Sequence, residues 1–139
     1  MKLTRITKRA KGMTLLELTV VILVLLSLIS ILFVGARAWK KGSDRAANVM
    51  IVRNVQQAVR SYQNMNNVSE GSTVSAALGG PIFGTGYFIE NLPVHPVSGL
   101  SYAYTGTVPG IGTLFTSSTG TTSDGTPATY YAPTGTQDW

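Results

Sequence analysis

Glu17 is the one carboxylate set beside a long uncharged segment. The nineteen residues after it, 18–36 (LTVVILVLLSLISILFVGA), contain no Asp, Glu, Lys or Arg, and the next charge is Arg37. As a helix they reach roughly 28 Å at ~1.5 Å per residue, close to the ~30 Å hydrocarbon thickness of a bilayer. An acid at the edge of such a segment is costly to place in lipid, so by default it has a functional role. Other chemistry is scarce. His95 is the single histidine; between Pro93 and Pro96 it is expected to be a loop residue, not a ligand or base. With no cysteine there is neither a disulfide framework nor a thiolate metal site. Glu70, Glu90, Asp124 and Asp138 are scattered over 67–139 and make no acid–base pair or nucleophile dyad. P-loop, dinucleotide-turn and G-x-S-x-G patterns are absent. The chain is therefore not expected to be an enzyme, and no catalytic, cofactor-binding or metal-binding residues are assigned.

The elements that must position Glu17 follow from charge and periodicity. Lys2, Arg5, Lys8, Arg9 and Lys11 precede Gly12 without an acid, whereas the six basic residues from Met13 onward match the six acidic ones. The net charge of +5 belongs to this leader. A basic leader before an apolar run reads as an export signal that stays on the cytoplasmic side, so the pI says little about nucleic acid. We expect a leader over 1–12 and a hydrophobic helix over 13–38, with Trp39, Arg37, Lys40 and Lys41 suited to headgroup depth. From Asp44 the helical period resumes: Val52, Val55, Val59 and Tyr62 make one apolar stripe, with Arg53, Gln56, Gln57, Arg60 and Gln63 facing elsewhere. This amphipathic half, 39–66, should end in NMNNVSEG.

Residues 67–139 are rich in Gly, Thr, Ser and Pro. β-type runs appear at 100–106, 111–117 and 128–133, separated by turns. Too small to bury much surface alone, this region should pack on 44–66. The expected fold class is α+β: a long N-terminal helix, hydrophobic in its first half and amphipathic in its second, against a small antiparallel β-sheet.

Two export signals compete at the N-terminus. An ordinary signal peptide has an apolar stretch of about 7–15 residues and a small-x-small cleavage site, which Ala36-Arg37-Ala38 could supply. The rival lies in Lys11-Gly12-Met13-Thr14-Leu15-Leu16-Glu17 followed by the aliphatic run. That stretch resembles the type III signal of the type IV pilin superfamily. The resemblance implies a prepilin peptidase that cuts after Gly12 and methylates Met13, and it makes Glu17 the family's assembly glutamate, paired with the N-terminal amine of a neighbouring subunit. Many pilins carry a glycine and a proline where this chain has Leu26 and Val34, so no helix breaker is expected in the membrane half.

The stretch 86–106, GYFIENLPVHPVSGLSYAYTG, is similar to a segment of major pseudopilins of type II secretion systems, with His95 where an aspartate is usual. Physically it is a turn: Pro93 and Pro96 fix φ, Gly99 permits positive φ, and Tyr102 and Tyr104 share one strand face. TTSDGTP (121–127) falls where those pseudopilins hold a calcium loop. Calcium takes six to eight oxygens, usually several of them carboxylates, and Asp124 is the only acid between Glu90 and Asp138. A plain turn is expected, with calcium near Asp124 the alternative. Tyr62, Tyr87, Tyr102, Tyr104, Tyr130 and Tyr131 are expected in the core or at subunit contacts.

The resemblance thus implies a pseudopilus subunit of the bacterial inner membrane. It would be single-pass, N-terminus cytoplasmic and C-terminal domain periplasmic or extracellular, and would polymerise with identical or related pilin subunits. Its implied partners are the prepilin peptidase, an assembly ATPase and an inner-membrane platform protein, with no nucleic acid. Two alternatives stay open. One is a surface pilin for adhesion, motility or DNA uptake, whose members often close a C-terminal loop with a disulfide this chain cannot form. The other is a signal-peptide-exported domain binding glycan through its tyrosines.

Overall fold

A computed structural model describes residue 12 and residues 14–139. The chain divides into two compact units, Met1–Trp39 and Lys40–Trp139. Helix α1, Leu15–Asn66, begins in the first and ends in the second.

In the first unit every described side chain is exposed, including the aliphatic run from Leu15 to Val34. This part of α1 is long and apolar enough to cross a membrane. Its few hydroxyls are satisfied within the helix. Thr19 donates to the Leu16 carbonyl (2.8 Å), Ser27 to Leu23 (2.9 Å) and Ser30 to Leu26 (2.8 Å). In an apolar medium, where an unpaired hydroxyl is costly, such back-bonding removes the penalty. No proline interrupts the helix, which continues through Gly35 and Gly42.

The second unit has its own core. α1 contributes Val52, Val55, Ala58 and Val59, all buried, with Tyr62 half-buried beside them. Against them pack Val74, Ile82, Phe83, Val108 and Phe115. Strands β1 (Leu100–Tyr104) and β2 (Thr116–Gly120) form an antiparallel pair in which Leu100 faces Gly120 and Tyr104 faces Thr116. The register demands glycine at position 120: φ is +101°, and a Cβ there would stand 2.8 Å from the Gly99 carbonyl oxygen. A second small cluster, Leu100, Ala128 and Tyr131 with Val97, closes the other end.

α1 stops in the NMNN run as the sequence predicts. Asn67 takes a positive φ of 50°, and the Val68 amide reaches back to the Gln63 carbonyl at 3.1 Å. That six-to-one bond is a Schellman closure, and Val68 packs on the core as the motif requires.

Two expectations need correction. The run 128–133 is a 3-10 helix (Ala128–Tyr131), not a strand: Pro127 starts it, and Tyr131 must turn inward to fill the second cluster. The run 111–117 begins as a turn, with Gly112 at positive φ, so β2 starts only at Thr116.

Candidate functional site

Glu17 sits on the first turn of α1 in a reciprocal bond with Thr14. The Glu17 amide donates to Thr14 Oγ1 at 3.3 Å, and the Thr14 amide donates to Glu17 Oε2 at 3.0 Å. The Thr14 carbonyl accepts the first helical bond, from Leu18, at 3.2 Å. Thr14 is thus the N-cap and Glu17 the third helical residue of a capping box, which satisfies two otherwise orphaned backbone donors. The carboxylate also lies where the helix dipole favours negative charge. Thr14 is the residue that the dipole argument alone passes over. Its signal is the spacing Thr14-x-x-Glu17 before an apolar run.

Gly12 is exposed, with nothing within 4 Å of where a Cβ would stand. Met13, the expected methylation site, and the leader residues 1–11 lie outside the described residues. Ala36-Arg37-Ala38, the rival cleavage site, lies inside α1. Gly12 and Glu17 belong to the first unit, His95 and Asp124 to the second.

His95 is in a loop, as expected, but that loop is folded inward and the ring is only 7% exposed. Its Nδ1 accepts the Val97 amide at 3.1 Å. The ring lies 5.1 Å from Tyr102 and 6.0 Å, edge to face, from Tyr131, while Nε2 has no hydrogen-bond partner. Burial pushes the imidazole below its ordinary value, with the Val97 amide and Asp44 acting the other way. A neutral ring locked by packing is a structural element rather than a proton shuttle.

Asp124 is engaged by a cation of the chain itself. Its Oδ2 stands 2.7 Å from Lys41 Nζ, which also donates to Thr126 Oγ1 at 3.0 Å. Thr122 Oγ1 donates to Asp124 Oδ1, and the Thr126 amide donates to it at 3.3 Å. Lys41 first, then these threonines, hold the carboxyl well below the usual carboxylate range, and Asp124 in turn raises Lys41. A calcium ion here would have to displace that ammonium with one carboxylate to offer. Among the described residues no group of three or more His, Asp or Glu side chains could hold a metal ion.

Between these points the second unit is tied together by polar side chains of α1. Asn48 is fully buried. Its Nδ2 donates to Ser118 Oγ (3.1 Å) and the Tyr131 carbonyl (2.8 Å), while Oδ1 accepts the Tyr102 hydroxyl at 2.6 Å. Burial of Tyr102 pushes its phenol up to about 12, so it remains a donor at every ordinary pH. Gln56, expected to face away from the stripe, is also buried. Its amide bonds the Thr113 carbonyl (3.1 Å) and the Phe115 amide (3.0 Å), as a neighbouring strand would. Arg60 donates to the Pro109 carbonyl at 2.8 Å and stands 3.6 Å from Glu70. With only two strands, many backbone groups of 67–139 lack a ladder, and these side chains supply partners that burial makes obligatory.

The tyrosines divide. Tyr131 is buried; Tyr62, Tyr102 and Tyr104 are half-buried; Tyr87 and Tyr130 are exposed. Compared with known protein families, curated proteins and solved structures, the chain finds no match in any of the three.

Proposed function

We propose that the chain is a structural subunit of a type IV pilin-like filament, most like the major pseudopilin of a type II secretion system. The observation that carries this is the Lys11–Glu17 junction at the start of a helix whose apolar first part buries nothing. The α1 residues in the core of the C-terminal region, Val55, Ala58 and Val59 with Tyr62 beside them, all lie beyond Lys40. A peptidase cut after Gly12 would free the Met13 amine, and methylation would follow there. The rival cut at Ala36-Arg37-Ala38 is disfavoured because it falls within a hydrogen-bonded helix, whereas proteolysis concentrates at exposed, irregular chain.

Function then resides in polymerisation rather than catalysis. The processed subunit waits in the inner membrane with its second unit outside, until the assembly machinery moves it into a helical bundle of such segments. Aliphatic surface leaves lipid for other aliphatic surface, so packing and polar contacts, not the hydrophobic effect, must discriminate between partners. Glu17 supplies that discrimination. Thr14 holds Oε2 and orients the carboxylate, and the Met13 ammonium of a neighbouring copy pairs with it. Two charges that are each costly in an apolar bundle are tolerated together only in register, the best-attested use of a buried charge.

The test separates cap from charge. Glu17→Gln keeps an amide oxygen able to accept the Thr14 bond, so the capping box, membrane insertion and processing persist. Filament yield, by shearing and electron microscopy, should nevertheless collapse, with processed subunit accumulating in the membrane. Wild-type filaments from this variant would refute the pairing role.

A further inference from the structure

Charge in the second unit is unevenly placed. Lys40, Lys41 and Arg45 cluster at its start with Asp44 among them, while Glu70, Glu90 and Asp138 lie beyond α1. Residues 121–131 are held against this stretch by the Lys41–Asp124 pair, by Lys41 to Thr126, and by Asn48 to the Tyr131 carbonyl at 2.8 Å. Lys41 neutralises Asp124, which leaves exposed Lys40 and half-buried Arg45 with Asp44 as the one acid of the stretch 40–45. The Arg45 guanidinium lies 5.9 Å from the centre of the Tyr130 ring. Tyr130 is 47% exposed and rests edge-on against buried Tyr131 at 5.1 Å.

An exposed tyrosine beside a guanidinium and a lysine is the composition of a lipid–water boundary: apolar body, polar tip, cations for phosphate. Its position agrees. Lys40 to Arg45 follow Ala36 by only four to nine residues, so chain connectivity keeps this stretch near the end of the apolar run.

Resting on the reading of residues 15–36 as membrane-crossing, we propose that this end of the second unit is a docking face for anionic phospholipid. Lys40, Arg45 and Tyr130 make the contact, beside the 121–127 turn. Lys40 and Arg45 engage lipid phosphates, and the Tyr130 ring lies at the glycerol level. Each cation near an anionic surface favours contact by about fivefold, and Asp44 opposes by one such factor. A net factor of about five would be weak for a free protein. Here α1 tethers the face to the bilayer, so contact is intramolecular and a small bias suffices. Docking holds the waiting subunit in one orientation at the membrane surface.

The absence of cysteine makes a clean probe possible. A fluorophore at Ser123→Cys, an exposed position in the turn, is carried on the full chain in nanodiscs whose headgroups bear a nitroxide quencher. Ser69→Cys, past the end of α1, serves as the distal control. With about one-third phosphatidylglycerol, quenching at position 123 should exceed that in pure phosphatidylcholine. It should fall several-fold with Lys40→Gln/Arg45→Gln or at high salt, and position 69 should stay unquenched throughout. Equal quenching at 123 in both lipids, unchanged by the double variant, would overturn the docking face while leaving the membrane-crossing reading intact. Failure of the wild-type chain to enter nanodiscs would overturn both.

Discussion

Asn48→Ala should be the most damaging small change in the second unit. The side chain is wholly buried and joins α1 to β1, β2 and the 3-10 helix through Tyr102, Ser118 and the Tyr131 carbonyl. Truncation strands the Tyr131 carbonyl and the Tyr102 hydroxyl, each at about 1–3 kcal/mol. The expected total is about 3 kcal/mol, a large part of the ~5–15 kcal/mol that holds an ordinary domain together. In a unit of this size that lowers the melting temperature by roughly 12–24 °C. Urea unfolding of a fragment covering 40–139, followed by tyrosine near-ultraviolet circular dichroism, measures it. Tyr102→Phe supplies the internal check. Alone it should cost about 1 kcal/mol; on the Asn48→Ala background it should cost nothing or stabilise, because the stranded hydroxyl goes with it. Additive losses, or less than about 1 kcal/mol for Asn48→Ala, would refute the picture of Asn48 as the hub.

Two further expectations concern the same unit. His95 is held neutral by burial, so its folded pKa lies below the unfolded value near 6.5 and the unfolded chain binds more protons. The stability it allows is complete above about pH 7.5 and is lost as pH falls through 6.5 towards the folded value. His95→Phe should flatten the stability profile in that window, and an unchanged slope would place the titration elsewhere. Gly120→Ala must place a Cβ 2.8 Å from the Gly99 oxygen at a φ of +101°. Strain of about 1–3 kcal/mol should lower the urea midpoint, and a neutral result would mean that the β1–β2 register relaxes easily.

Much of the fold is legible in the residues. Val52, Val55 and Val59 mark the buried face of α1, and the Asn-rich run marks its end through Asn67, a residue type that tolerates positive φ. The polar members of that face are harder to read. Asn48 lies four residues before Val52 and Gln56 four after it, so both fall on the stripe by period. Gln56 reads as facing away from the stripe, and nothing local marks Asn48, because their partners, the Thr113–Phe115 backbone and the Tyr131 carbonyl, come from distant loops. ATYYAP has the composition of a strand, yet Pro127 and the demand for Tyr131 in the second cluster make it a 3-10 turn. At the candidate site, Thr14-x-x-Glu17 is a local pattern and fully readable as a capping box. The Lys41–Asp124 pair spans most of the second unit, and no local pattern announces it.

The central claim is that the chain is cut and modified at the Gly12–Met13 bond and then assembled through the new terminus. Intact mass of the protein extracted from its own membrane tests it most directly. The account predicts a species corresponding to Met13–Trp139 plus one methyl group, and retention of the leader when Gly12 is replaced by valine. A mature form beginning at Trp39, the product of cleavage after Ala38, would contradict it.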